Sequence, residues 1–214
     1  MNEMSLLKNA YVIYDNKFIN EEESDQYFDM YNRFDWKYNN YNGHKLNRQT
    51  CVFADSKIVN DNQQIPDIWG KDVTVKEWTP ELLEIKSKVE NKVKELTGKD
   101  WYYNIALCNR YLKKNDFIAF HSDKEEIGST QSISSLSLGI PRTFQYSSYD
   151  MTENISLVLT NGSLIYMGEK CQENYKHGMK KEDLLKLTDD ETLYKYSNTR
   201  INITFRVWKY KNDG

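Results

Sequence analysis

The sequence predicts an α+β chain, mainly β, in which helices buttress an antiparallel sandwich. Three observations lead there. Strong helical periodicity comes before Gly98; after it, some seven short segments read as strands; and the last of these, RINITFR at 200–206, alternates with period two. Ile201, Ile203 and Phe205 share one face of that strand, which belongs in a core. Arg200, Asn202, Thr204 and Arg206 share the other, so a central-looking strand carries two guanidiniums, a carboxamide and a hydroxyl in a row.

Residues 9–14 read as a first short strand. EEESDQYFDMYNRF at 21–34 reads as a helix: Asn20 can cap it, Glu23 follows three residues on, and Tyr27, Tyr31 and Phe34 form one stripe. The strongest helix is 79–97. Thr79 is a natural N-cap, Pro80 fits the first helical position, Gly98 fits the left-handed C-terminal position, and Leu82, Ile85, Val89, Val93 and Leu96 make the apolar stripe. The strand segments are 102–112, 116–121, 133–139, 142–147, 154–159, 163–167 and 200–209. Asn161-Gly162, between SLVLT and SLIYM, predicts a hairpin turn. The charged stretch 178–199 reads as an insertion holding a short helix or a loop.

The 214 residues suit a single domain, 1–214, with no repeat and no low-complexity linker. Net charge is −3 and the pI about 5.7, which gives no global pull toward nucleic acid. Any basic footprint is local: Arg110, Lys113 and Lys114; Lys176, Lys180 and Lys181; or Arg206, Lys209 and Lys211. Sixteen Tyr, eight Phe and five Trp can serve a core or stack flat ligands. Cys51, Cys108 and Cys171 stand at no metal-like spacing, and their odd number argues against a disulfide framework and for a reducing compartment. The N-terminus lacks the pattern of a signal peptide, and no stretch approaches 18 apolar residues. An intracellular monomer, in cytoplasm or nucleus and away from membranes, is expected.

The chain has three histidines, His44, His121 and His177. His121 opens HSD, so Asp123 lies two residues on, and His177 could join them from a later strand. Two imidazoles and a carboxylate on one face of an iron make the facial triad of Fe(II) oxygenases, although HxD alone occurs by chance in many proteins. The polar face of RINITFR adds weight, because arginine binds carboxylates bidentately and a buried arginine needs such a partner. Asn109 and Tyr111 in YNIALCNRYL are two apart and form a second co-facial polar row.

Together, NRY ten residues before HSDKE, then SLSLGIPRTFQY, NGSLIYM, His177 and RINITFR resemble the AlkB family of 2-oxoglutarate- and Fe(II)-dependent dioxygenases. The likeness covers roughly residues 101–208, with a looser match in LNRQTCVFAD at 46–55. It implies a double-stranded β-helix (jelly-roll) core over 101–210, and N-terminal helices with a nucleotide-recognition lid over 1–100, the lid around 36–60. It implies His121, Asp123 and His177 as iron ligands, Arg200 on the distal carboxylate of 2-oxoglutarate and Arg206 at the end nearest the metal. Asn109, Tyr111, Asn202 and Thr204 would line that pocket. Fe(II), 2-oxoglutarate and O2 are the implied cofactors, with succinate, carbon dioxide and formaldehyde as products. The implied substrate is DNA or RNA carrying alkylated bases such as 1-methyladenine or 3-methylcytosine, single strands favoured, with a flipped base clamped between flat groups. His44, Arg48, Glu125 and Arg142 fall where the family has substrate contacts, and Phe53 replaces a family tyrosine. His44 reads more readily as an exposed loop histidine, and Glu125 can also be read as a solvated charge and Arg142 as a surface arginine. Two other readings stay open: an iron oxygenase of proteins or small molecules, and a binding module without catalysis.

Overall fold

The computed structural model describes residues 5–41, 44–60, 73–113, 116–125, 128–181 and 184–209. In chain order the early strands are β1 (Val12–Asp15), β2 (Asn40–Tyr41), β3 (His44–Lys45), β4 (Gln49–Ala54), β5 (Val75–Glu77) and β6 (Ile105–Tyr111). The later ones are β7 (Ile118–His121), β8 (Ile133–Gly139), β9 (Arg142–Ser148), β10 (Asn154–Leu159), β11 (Ser163–Met167), β12 (Tyr175–Met179) and β13 (Arg200–Arg206). The helices are α1 (Glu21–Asn32), α2 (Ser56–Asn60), α3 (Pro80–Thr97), α4 (Cys171–Asn174) and α5 (Asp190–Lys195). A seven-stranded sheet runs β1-β11-β8-β13-β6-β4-β5, and a four-stranded sheet runs β10-β9-β12-β7. Among the described residues every strand pairing is antiparallel except β4 with β5. This is the helix-buttressed antiparallel sandwich that the pattern predicts, in the jelly-roll form that the resemblance implies.

The helices cover one face of the larger sheet. Ile201, Ile203 and Phe205 of β13, Ala106 and Cys108 of β6, and Leu136 and Leu138 of β8 pack into one core with Tyr27, Phe28 and Tyr31 of α1 and Leu82, Ile85, Val89 and Val93 of α3. Each large aliphatic side chain buried there contributes roughly 1.5–3 kcal/mol. The caps form as expected: Asn20 accepts from the Glu23 amide, Thr79 accepts from the Leu82 amide, and Gly98 closes α3 at φ 70°. Among the described residues no helix is long and apolar enough to cross a membrane.

Three expectations change. Asn161-Gly162 does not close a hairpin: β10 pairs with β9, whereas β11 pairs with β8 and β1, so the turn carries the chain between sheets. Tertiary contacts hold it instead. Asn161 accepts from the Gly139 amide and donates to Asp25 and to the Tyr196 hydroxyl. Gly162 sits at φ 78°, where an added Cβ would lie 2.3 Å from Ser24 Oγ. Next, the strand carrying His177 was not among those read from the pattern, because YKHGM is short and holds a glycine. Finally, the 178–199 segment begins inside β12, then gives a 3-10 turn at Leu184–Lys186 and the helix α5.

Candidate active site

β12 lies beside β7, and their register sets His177 directly opposite His121. The two rings stand 4.6 Å apart between centroids. Asp123 follows two residues beyond His121. Its carboxylate oxygens lie 3.8 Å from His121 Nε2 and 3.8 Å from His177 Nε2. Two metal–ligand bonds of about 2.1 Å could span such gaps. His121 Nδ1 lies 2.8 Å from the Ala119 carbonyl. Facing a carbonyl, that nitrogen carries the proton, which leaves the Nε2 lone pair for an ion. The Asp123 amide donates to Gln172 Oε1 at 2.9 Å, fixing the backbone under the carboxylate. Among the described residues this is the one cluster of three His, Cys, Asp or Glu side chains able to hold a metal. Two imidazoles and one carboxylate are the donor set that suits Fe(II).

The electrostatics suit a cation. Burial pushes the Asp123 carboxyl up, but Arg206, His177 and His121 outweigh it, and the acid is held below its usual range. Arg206 Nη2 donates to Asp123 Oδ2 at 3.0 Å. Burial is also the largest influence on His177, with His121 and Arg206 adding to it, and the imidazole is pushed down to about 3. It is therefore neutral at ordinary pH, as a metal ligand must be.

A cavity of about 420 Å³ opens between the two sheets beside this cluster. His121, Asp123 and His177 line it together with Asn109, Tyr111, Arg200, Asn202, Thr204 and Arg206. The register of β13 against β6 explains the convergence: Arg200 pairs with Tyr111 and Asn202 with Asn109, so both polar rows face the same way. Arg200 Nη2 donates to Ser137 Oγ at 2.9 Å, and its guanidinium lies 5.4 Å from the Tyr111 ring centroid. Asn202 Oδ1 accepts from Asn109 Nδ2 and Thr204 Oγ1, while its Nδ2 donates to Ser135 Oγ and the Leu136 carbonyl. Arg206 Nε is buried with no hydrogen-bond partner among the described residues, so this wall can accept a further anion. A larger surface hollow, about 750 Å³, lies between Lys8–Tyr11 and Ser148–Asp150. It gathers no metal-ligand set, so the chemistry belongs in the smaller cavity.

The residues read as substrate contacts scatter. Arg48 lines the cavity, and its Nε donates to Asn109 Oδ1 at 2.6 Å. His44 is exposed on the β2–β3 ribbon and does not line the cavity. Glu125 turns to Thr130 and Lys209 instead. Phe53 is corrected from substrate contact to core: its ring packs on Phe34, 4.8 Å between centroids, on the helix side of β4. Arg142 is corrected likewise. It is 0 % exposed, and its Nη2 donates to the Asp116 and Lys180 carbonyls, pinning two segments together. Of the basic clusters, Arg110 is spent on Gln49 and Asn32, Arg206 on Asp123 and Lys209 on Glu125. Lys176 and Lys180 stay exposed, and Lys114 and Lys211 lie outside the described residues. The sequence reading missed Ser135, Ser137 and Gln172. The alternation of SSLSLG could have revealed both serines; Gln172, on a four-residue helix, left no signal.

The family model described as the 2OG-Fe(II) oxygenase superfamily matches residues 11–206. The chain belongs to that superfamily, whose description names Fe(II) and 2-oxoglutarate, and the His121, Asp123 and His177 cluster is able to hold a metal. Within the superfamily its relatives include AlkB homologues. It is 32 % identical over 140 residues to the rat alpha-ketoglutarate-dependent dioxygenase alkB homolog 3, covering 61 % of this chain and 42 % of that protein. It is 31 % identical over 129 residues to the DNA oxidative demethylase ALKBH2 of Arabidopsis thaliana, covering 49 % and 38 %. An uncharacterized protein, R406 of Acanthamoeba polyphaga mimivirus, is 27 % identical over 170 residues, covering 76 % of this chain and 81 % of the relative. The chain thus spans less than half the length of the alkB homolog 3 proteins it matches. The solved structure of OsALKBH1 shares the fold at a TM-score of 0.69 and 17 % identity, over 94 % of this chain and all of that one.

Proposed function

We propose that this dioxygenase removes N-linked methyl groups from alkylated bases of the 1-methyladenine and 3-methylcytosine type, in DNA or RNA. The observation that carries the reading is the similarity to a named DNA oxidative demethylase, joined to a cavity that gathers a facial triad and a guanidinium pair. Bound together, Fe(II), 2-oxoglutarate and O2 supply the oxidation that hydroxylates the methyl group, yielding succinate and carbon dioxide, and the hydroxymethyl amine then releases formaldehyde.

In this reading His121, Asp123 and His177 hold the iron. The Ala119 carbonyl fixes the His121 tautomer, and Gln172 fixes the Asp123 backbone. Arg200 takes the distal carboxylate of 2-oxoglutarate, steadied by Ser137 and Tyr111. Arg206 balances Asp123 and faces the carboxylate nearest the metal. Asn109, Asn202 and Thr204 keep one another oriented, so the co-substrate meets a preset surface. Arg48, on the exposed side, is placed to meet the substrate.

The test is formaldehyde release across methylated single- and double-stranded oligonucleotides, run beside methylated peptides. Release from an oligonucleotide is expected. Succinate formation stimulated by a peptide, and by no oligonucleotide, would transfer the chain to protein substrates, a reading that the net charge of −3 favours.

A further inference from the structure

Outside the active site, the outer face of the four-stranded sheet stands open. A hollow of about 360 Å³ lies there, lined by Phe120, Gln145, Tyr149, Met151, Lys176 and Lys180 among others. Three large apolar groups meet solvent around it: Phe120 is 40 % exposed, Tyr149 50 % and Met151 77 %. Gly178 sits opposite Gln145 in the sheet and against the Phe120 backbone, so no side chain rises between those two. We propose that this hollow is a second, nucleotide-sized subsite, which takes a base flanking the target in a single-stranded nucleic acid.

Four features argue for a base and its phosphate. Phe120 and Tyr149 supply flat surfaces for stacking, which is tolerant of sequence. Lys176 lies 5.2 Å from the Tyr149 ring centroid, and Lys176 and Lys180 are exposed cations able to meet the backbone. Gln145 adds a polar amide to the lining, held by its Nε2 donating to Ser156 Oγ at 2.9 Å. The hollow is also tied to the active site: the Tyr149 hydroxyl lies 2.7 Å from Ser122 Oγ, and Ser122 lines the catalytic cavity. A strand leaving that cavity past Ser122 meets Tyr149 next. The nearby Asp150 carboxylate is engaged by Ser148 and Thr152, which blunts its repulsion of a phosphate.

The inference rests on the nucleic-acid reading above, and its test needs no turnover. Fluorescence anisotropy would follow a labelled, unmethylated oligothymidylate binding to the whole chain. Tyr149→Ala is expected to weaken binding about fivefold or more, the usual loss for one stacked base. Tyr149→Phe, which keeps the ring and drops the Ser122 contact, is expected to stay within about twofold of the parent. Replacing Lys176 and Lys180 together by Ala should flatten the salt dependence by roughly 1.4 in log–log slope. Parent-like affinity in Tyr149→Ala, or no binding of the strand by the parent, overturns the subsite. Failure to release formaldehyde while strand binding keeps its dependence on Tyr149 would instead count against demethylation alone.

Discussion

At the buried end of the cavity, Arg200, Asn202, Thr204 and Arg206 are at most 7 % exposed and stand in ladder register with β6 and β8. At the exposed end, Leu46, Arg48, Ser122 and Lys124 come from segments between strands. The first group is held by the sheet itself, since moving one residue means moving the strand. The second group depends on local contacts such as Arg48 to Asn109 and Ser122 to Tyr149. The contrast implies strict chemistry toward a common co-substrate and adjustable chemistry toward the substrate.

Substitutions should grade accordingly. Asp123→Ala is expected to have the largest effect. It removes the one charged member of the triad and leaves Arg206 buried without its carboxylate, which costs roughly 3–5 kcal/mol in related situations. Succinate formation should vanish, and thermal unfolding in chelator should show the stability loss; retained turnover would dissolve the distinction between the two ends. Arg200→Ala comes next. Truncating one partner of a buried charge pair costs about 2–5 kcal/mol, so the 2-oxoglutarate requirement should rise by roughly thirtyfold or more while the fold survives. An unchanged co-substrate KM would show that the diacid is held elsewhere.

Smaller effects belong to the periphery. Partial burial pushes the Glu125 carboxyl up, but hydrogen bonds from Thr130 and the charge of Lys209 outweigh it and hold the acid below its ordinary 4.5. A carboxyl depressed in the folded state stabilises fully above that ordinary value and stops doing so as pH falls through the lower folded one. Glu125→Gln should therefore lower stability in urea melts at pH 7, and the difference should shrink as the pH falls below 4.5 and through the lower folded value. The smallest effect is expected of His44→Ala. An exposed ribbon residue should shift stability within about 0.5 kcal/mol and leave the 2-oxoglutarate KM alone. A large change in that KM would bring the ribbon into the catalytic cavity.

The same contrast explains what could be read in advance. Alternation exposes strand faces, so RINITFR and the Asn109–Tyr111 row were legible as two polar walls before any coordinates. Local chemistry also marked Asn20, Thr79 and Gly98 as helix ends. Partner choice was not legible: Asn-Gly at 161–162 supplies the positive φ a tight hairpin wants, yet the strands it joins enter different sheets. QTCVFA of β4 is buried along most of its length and shows no alternation, so its strand was missed and Phe53 was assigned by loose analogy. Arg142 was assigned to the substrate by family likeness, because sequence does not show that two backbone carbonyls await its guanidinium.

The two guanidiniums at the centre of the larger sheet have a thermodynamic corollary. A diacid that meets Arg200 and Arg206 needs the folded sheet to hold both in place, and whatever binds only the folded form raises the folded fraction by mass action. The supply of small diacids is then expected to set how much of this protein survives proteolysis, as well as how fast it works.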